Sequence, residues 1–200
     1  RMSGSLTVHG PAAEPDAYTH LVLLLDDGRQ VFFHDTRKFG RARLLDAAGL
    51  AALDSAHGVE PLTDAFTPEL LAALLRRYNA RIKPLLLNGR LIAGIGNIYA
   101  DEALWSAQVH GERPGNRIKS ADVRRVLTAA RDVMIAALAQ GGTSFDALYV
   151  NVEGDSGYFE RSLEAYGREG EPCSRCGSAL VRAQFMNRSS YFCPVCQRRR

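Results

Sequence analysis

No cysteine occurs before position 173, no uninterrupted apolar run reaches membrane-spanning length, and no charged leader followed by an apolar core opens the chain. The first absence denies most of the chain a disulfide framework, and the other two point to a cytoplasmic location. A strong net charge is missing as well, since the 200 residues sum to only +3. The distribution says more than the sum. Arg37, Lys38, Arg41 and Arg43 share one short stretch and Arg198 to Arg200 another, local basic surface of the kind a polyanion binds. Internal repeats are absent. His20 has no second ligand-type residue at metal-binding spacing, which leaves it a hydrogen-bonding residue at a strand margin. The chain also lacks a starting Met, and Arg1 to Val8 reads as a strand or a turn entering one, so a piece of a longer protein is expected.

A hydrophobic content of 46% is enough for a core in one or two domains. Thr19 to Leu25 predicts a strand, Asp26-Asp27-Gly28 a hairpin turn, and Gln30 to His34 a returning strand with Val31 and Phe33 on one face. From Leu50 the pattern turns helical. Leu50 to Ser55 is a short helix; Thr67 or Asp64 caps the next, with Pro68 at its first position and Leu70, Leu71, Leu74 and Leu75 along it. Ser120 caps a helix over 121–139, in which Val123, Leu127, Ala130, Met134 and Leu138 form one stripe. NVEGDSG, 151–157, has neither propensity nor periodicity and reads as a loop.

The stretch from Lys83 to His110 breaks at Gly94-Ile95-Gly96-Asn97 between two helical patterns. Unpaired backbone N–H groups at such a break can receive an anion. Asn97 is positioned to cap the second helix, and Asp101 and Glu102 suit its first turn. An ordinary glycine turn between packed helices fits equally well. Along that second helix, Ile98, Ala100, Ala103, Leu104 and Ala107 are the expected buried side.

Cys173, Cys176, Cys193 and Cys196 form C-x2-C-x16-C-x2-C. Four thiolates in two knuckle pairs close a tetrahedral shell with no open position, the arrangement of one structural Zn2+; two disulfides are the alternative. Tyr191 and Phe192 would supply a small hairpin core, and Arg182, Arg188 and the basic end a charged face.

Taken together, MSGSL (2–6), DTRKFG (35–40), AGIGNIYADEAL (93–104), GYF (157–159) and YGREGEPC (166–173) resemble, in order and spacing, the formamidopyrimidine-DNA glycosylase and endonuclease VIII family of oxidised-base repair enzymes, the first branch being favoured. The resemblance implies an α+β chain: the C-terminal end of a β-sandwich domain (1–48), a helix-two-turn-helix DNA-binding domain (49–150), a lesion-covering loop and linker (151–167) and a zinc finger (168–200). The implied partner is double-stranded DNA with an oxidised or abasic lesion, bound by a monomer, nucleoid-associated in a bacterium.

Residue by residue, the resemblance implies that Met2, Arg37 and Phe39 fill the gap left by an extruded nucleotide. Lys83, Asn97 and Arg188 would contact phosphates, and Val152, Glu153, Gly154, Asp155, Ser156, Gly157 and Tyr158 would cover the extruded base. Thr36 and Lys38 depart from the family's Pro and Arg, Asn88 replaces its usual Asp, and the Pro that usually follows the His is displaced beyond His110. The family's nucleophile, an N-terminal Pro, and its neighbouring Glu and later Lys fall before Arg1 in this reading. No catalytic residue is therefore assigned, the N-terminal catalytic part is expected to be lacking, and the chain is expected to be inactive although its parent would be a glycosylase and AP lyase. A noncatalytic zinc-containing DNA-binding protein and a zinc-stabilised interaction module are the other two readings.

Overall fold

The computed structural model describes residues 4–142 and 162–199. The fold divides into two compact units, 1–45 with 137–162 and 46–136 with 163–200. The helical segment and the cysteine-rich end thus belong to one unit.

In the first unit, strands β1 (Gly4–His9), β2 (Thr19–Leu24) and β3 (Gln30–Asp35) make an antiparallel sheet in the order β1-β3-β2. Asp27 closes the β2–β3 turn by accepting from the Arg29 backbone N–H (3.0 Å), and Gly28 supplies the positive φ of +85°. Register pairs Leu6 and Leu21 with Phe33, and Val8 and Leu23 with Val31, so all six share one face. Leu6 and Leu23 remain about half exposed among the described residues. A bulge between Thr19 and Leu21 frees His20, whose Nε2 bonds the Asp35 carbonyl (2.9 Å), the strand-margin role anticipated for it. Residues 4–35 carry a three-stranded sheet, a correction to the expectation of only the C-terminal end of a β-sandwich domain.

Asp35 organises the loop that follows. Fully buried, its carboxylate accepts from Arg37 N (3.2 Å) and Gly40 N (2.6 Å), while Lys38 takes a left-handed φ of +55°. Gly40 is required there, because a Cβ would lie 2.1 Å from the Phe33 ring.

In the second unit, α1 (Ala47–Ser55) is capped by Asp46 and buries nothing, whereas α2 (Pro68–Arg76) is capped by Thr67 and buries Leu71 and Leu75. The five-residue α3 (Ile82–Leu86) precedes α4 (Asn97–Ser106), and a 3-10 turn at Gly115–Arg117 leads into α5 (Ser120–Ala139). Phe66, Leu71, Leu75, Ile82, Leu86, Ile92, Leu104, Val109, Val123, Val126 and Leu127 fill one continuous core. The α5 stripe is buried at Val123, Leu127, Ala130 and Met134, but Leu138 is exposed. Gly94 has φ +75° and faces Met134 Cε, which a Cβ would approach to 3.1 Å. β4 (Val181–Phe185) and β5 (Arg188–Phe192) form a hairpin whose two-residue turn opens at Met186, φ +50°.

Candidate nucleic-acid interface and metal centre

The two knuckles are built by backbone. Cys173 N donates to Ser178 O (2.9 Å), Gly177 N to Cys173 O (2.8 Å) and Gln197 N to Cys193 O (3.0 Å). All four Sγ atoms lie within 4.8 Å of one another, and none forms a disulfide. Zn–S bonds of about 2.3 Å in a tetrahedron separate the sulfurs by about 3.8 Å, so the cluster fits one zinc ion, the structural cofactor anticipated from the spacing. Hydrogen bonds from Ser178 hold the Cys176 thiol down at about 6, while burial and the neighbouring thiols push Cys196 up to about 12. Four thiolates so close ionise together only around a metal.

Helix α4 joins this finger to the core along one face. Its cap is Gly96 rather than Asn97, because Asn97 is already the first helical residue. The Asn97 side chain is thereby released to donate from Nδ2 to the Ser189 carbonyl (3.0 Å), and its Oδ1 is buried without a partner among the described residues. One turn on, Asp101 accepts from Ser190 Oγ and from Tyr191 N, each at 3.0 Å. Glu102 receives the backbone N–H groups of Glu164 (2.9 Å), Ala165 (2.9 Å) and Tyr166 (2.7 Å). At the end of the face, Trp105 packs beside Cys173, Leu180 and Cys193.

Asp101 and Glu102 were expected in the first turn; they lie beyond it and both are buried. Burial raises both carboxyls; Lys83 opposes the rise at Asp101, and the three backbone donors oppose it at Glu102. Of the anticipated buried side, Ala100, Ala103, Leu104 and Ala107 are buried and Ile98 only partly.

Lys83 does not present its amine to solvent. It is 1% exposed, its Nζ lies 2.7 Å from Asp101 Oδ1 and 4.5 Å from the centre of the Phe185 ring, and it reaches Ser189 O at 3.5 Å. The residue expected to contact a phosphate thus sits beneath the hairpin, paired with Asp101 and directed at the Ser189 carbonyl. Burial pulls the Lys83 pKa down and the Asp101 charge pulls it back up, with the nearby Arg188 charge adding a smaller downward push.

Arg188 stands exposed at the start of β5 and, with Arg182 and Asn187, lines an open cleft of about 630 Å³. Asn97 and Arg188 thus flank Ser189, one bonded to its carbonyl and the other preceding it in the strand. In the first unit, Arg37 lies 5.8 Å from the centre of the Phe39 ring, which is about half exposed. Met2 and the loop residues 152–158 lie outside the described residues.

Comparison with known proteins decides what this arrangement belongs to. The family model for the formamidopyrimidine-DNA glycosylase H2TH domain matches residues 57–148, that for the zinc finger found in FPG and IleRS matches 170–199, and that for the formamidopyrimidine-DNA glycosylase N-terminal domain matches 1–42. A formamidopyrimidine-DNA glycosylase of Roseiflexus sp. (strain RS-1) is 54% identical over 198 residues, 99% of this chain and 72% of that protein. The chain belongs to the formamidopyrimidine-DNA glycosylase family. A second such glycosylase, from Nocardioides sp., is 53% identical over 98% of this chain and 68% of its own length. Lactococcus lactis Fpg in complex with abasic-site DNA superposes with a TM-score of 0.87 at 34% identity, covering 98% of this chain and 72% of that one. MutM (Fpg) from Thermus thermophilus gives 0.83 at 36%, covering 98% and 73%.

Membership corrects two expectations drawn from the resemblance. The glycosylase N-terminal domain model matches 1–42, so that domain is represented in this chain, against the expectation of its absence. The expectation of an inactive chain rested on that absence and falls with it, because N-terminal, H2TH and finger models all match. No described helix is long and apolar enough to cross a membrane. Sequence reasoning missed Asp101, Glu102, Trp105, Arg175 and Gln197 as the finger's anchors. The i, i+4, i+8 spacing of Asn97, Asp101 and Trp105 was the available signal.

Proposed function

We propose that this protein is a bifunctional DNA glycosylase and AP lyase that excises oxidised bases from double-stranded DNA, acting as a monomer at the bacterial nucleoid. The observation that carries the reading is the α4 face, which fixes the hairpin bearing Arg188 beside Asn97. Two polar side chains held on separate elements set a phosphate track by position, and phosphate contacts orient a duplex without reading its sequence. The Lactococcus lactis and Thermus thermophilus likenesses, and the names of the bacterial relatives, support the same assignment.

In this reading Asn97 and Arg188 contact the backbone, Lys83 steadies the hairpin between them, and Met2, Arg37 and Phe39 occupy the space left by the extruded nucleotide. Extrusion costs a few kcal/mol of stacking, roughly, which an apolar wedge and a cation facing the orphaned base offset in part. The rigid Asp35 turn supports such a role for Arg37 and Phe39, since it holds their backbone without the family's Pro. Residues 152–158 cover the extruded purine. The boundaries 1–48, 49–150, 151–167 and 168–200 describe the division of labour. None of the residues named here is assigned the nucleophile's part; they bind, clamp and fill.

The test is base release and strand incision on duplexes carrying an oxidised purine. Release followed by incision is expected with the zinc-loaded protein. Tight binding to the lesion with neither product would overturn the catalytic half, and no binding to any duplex would overturn the whole reading.

A further inference from the structure

One buried donor has no part in the interface described above. Trp105, the chain's single tryptophan, is 8% exposed, and its Nε1 has no hydrogen-bond partner among the described residues. Its surroundings are apolar or sulfur: Ala165, Leu180, Cys173 and Cys193, with Cys196 packed against them. A buried indole N–H ordinarily finds an acceptor, and leaving it without one is costly. A neutral thiol is a weak acceptor and a thiolate a strong one. Of these sulfurs, Cys173 belongs to the knuckle that also lays Arg175 over the indole.

A second contact ties the same indole to the finger from the other side. Arg175, between Cys173 and Cys176, lays its guanidinium 3.8 Å from the centre of the Trp105 ring. Its Nη1 and Nη2 donate to the carbonyls of Trp105 (2.7 Å) and Ser106 (3.2 Å), the last of α4. The first knuckle therefore covers the indole and caps the negative end of the helix with a fixed cation. Gln197 braces the second knuckle, accepting from Cys193 N (2.8 Å) and donating to Val109 O (3.1 Å).

We propose that Trp105 is an outer-sphere partner of the zinc site, its indole N–H donating to the Cys173 thiolate when the metal is bound, with Arg175 holding the indole in place. Zinc occupancy is thereby linked to α4, the helix whose first residue is Asn97. Loss of the metal releases the sulfur that accepts from the indole and loosens the knuckle that caps the helix. The proposal rests on the zinc reading of the four cysteines. Trp105 is a positioning residue: it acts on the metal through Cys173.

Replacing zinc with 113Cd and recording the single indole 15N–1H resonance tests the contact in the unaltered chain. Scalar coupling between 113Cd and the indole proton is expected, and its disappearance when the metal is chelated. A metal-loaded protein whose indole proton shows no coupling and the same shift before and after chelation overturns the proposal. Trp105→Phe keeps the ring and removes the donor. In a folded variant, zinc affinity measured against a chromophoric chelator should fall roughly 10- to 100-fold, the usual effect of deleting an outer-shell partner. Unchanged affinity would also overturn it. Failure of the unaltered protein to bind one equivalent of zinc or cadmium would instead remove the metal reading on which the proposal stands.

Discussion

The Lys83 ammonium lies 2.7 Å from Asp101 Oδ1, with both side chains all but sealed from solvent, and the same carboxylate holds Ser190 and the backbone of Tyr191. The pair is thus a joint between the helical core and the hairpin. Removing one partner leaves a buried charge without its counter-charge, which costs roughly 3–5 kcal/mol. Lys83→Met and Asp101→Asn should each lower the unfolding free energy by that scale, read from the urea midpoint and slope. Lys83→Met/Asp101→Leu should recover much of the stability yet still bind DNA poorly, because Tyr191 N and Ser190 lose their acceptor. Equal DNA affinity in the folded double variant would show that the joint does not position the hairpin.

Glu102 holds three consecutive amides, those of Glu164, Ala165 and Tyr166. Each buried donor left without an acceptor costs about 1–3 kcal/mol, so Glu102→Ala should destabilise the protein by several kcal/mol in total, discounted for water that enters. Hydrogen exchange locates the effect. Amide protection at Glu164 to Tyr166 should collapse before that of the α5 core, and uniform loss across the chain would contradict a local anchor.

His110 is 4% exposed, and its Nδ1 accepts from Glu112 N (3.1 Å) with Phe192 edge-on to the ring. Protonating Nδ1 breaks that bond. Burial, chiefly, lowers the pKa from 6.5, helped by the Arg199 charge and opposed by Glu112. The unfolded chain then binds a proton the folded one refuses, so the stability His110 contributes is present above about pH 6.5 and is lost as pH falls from there toward the depressed folded value. Urea midpoints between pH 5.5 and pH 7.5 should show a steeper acid loss than His110→Gln, at constant zinc loading. Parallel pH profiles would rule out this role.

The cysteine quartet, the Ser120 helix and the β2–β3 hairpin were legible because each is written locally: in fixed spacing, in a stripe at helical period, and in a turn dipeptide between apolar strands. The face of α4 was not. Asp101 and Glu102 look like first-turn surface acids to any local rule, and what buries them is Tyr166, Ser190 and Tyr191, 60 to 90 residues further along the chain. The burial of Lys83 was hidden for the same reason, since its counter-charge belongs to another helix. Asn97 was given the cap that Gly96 holds, a shift of one residue that frees the amide for the hairpin. The N-terminal part was the other error: residues 1–48 were read as a remainder without the catalytic part, whereas the N-terminal domain's family model matches residues 1–42.

The central claim is that Asn97 and Arg188 form one phosphate-contacting interface held by α4. Titrating an abasic duplex at several salt concentrations with the zinc-loaded protein, Asn97→Ala and Arg188→Ala tests it. The predicted result is weaker binding by both variants on every sequence tried, a slope of log affinity against log salt that is shallower by about 0.9 for Arg188→Ala, and an unchanged slope for the neutral Asn97→Ala. Wild-type affinity and salt slope in folded Arg188→Ala and Asn97→Ala would contradict it.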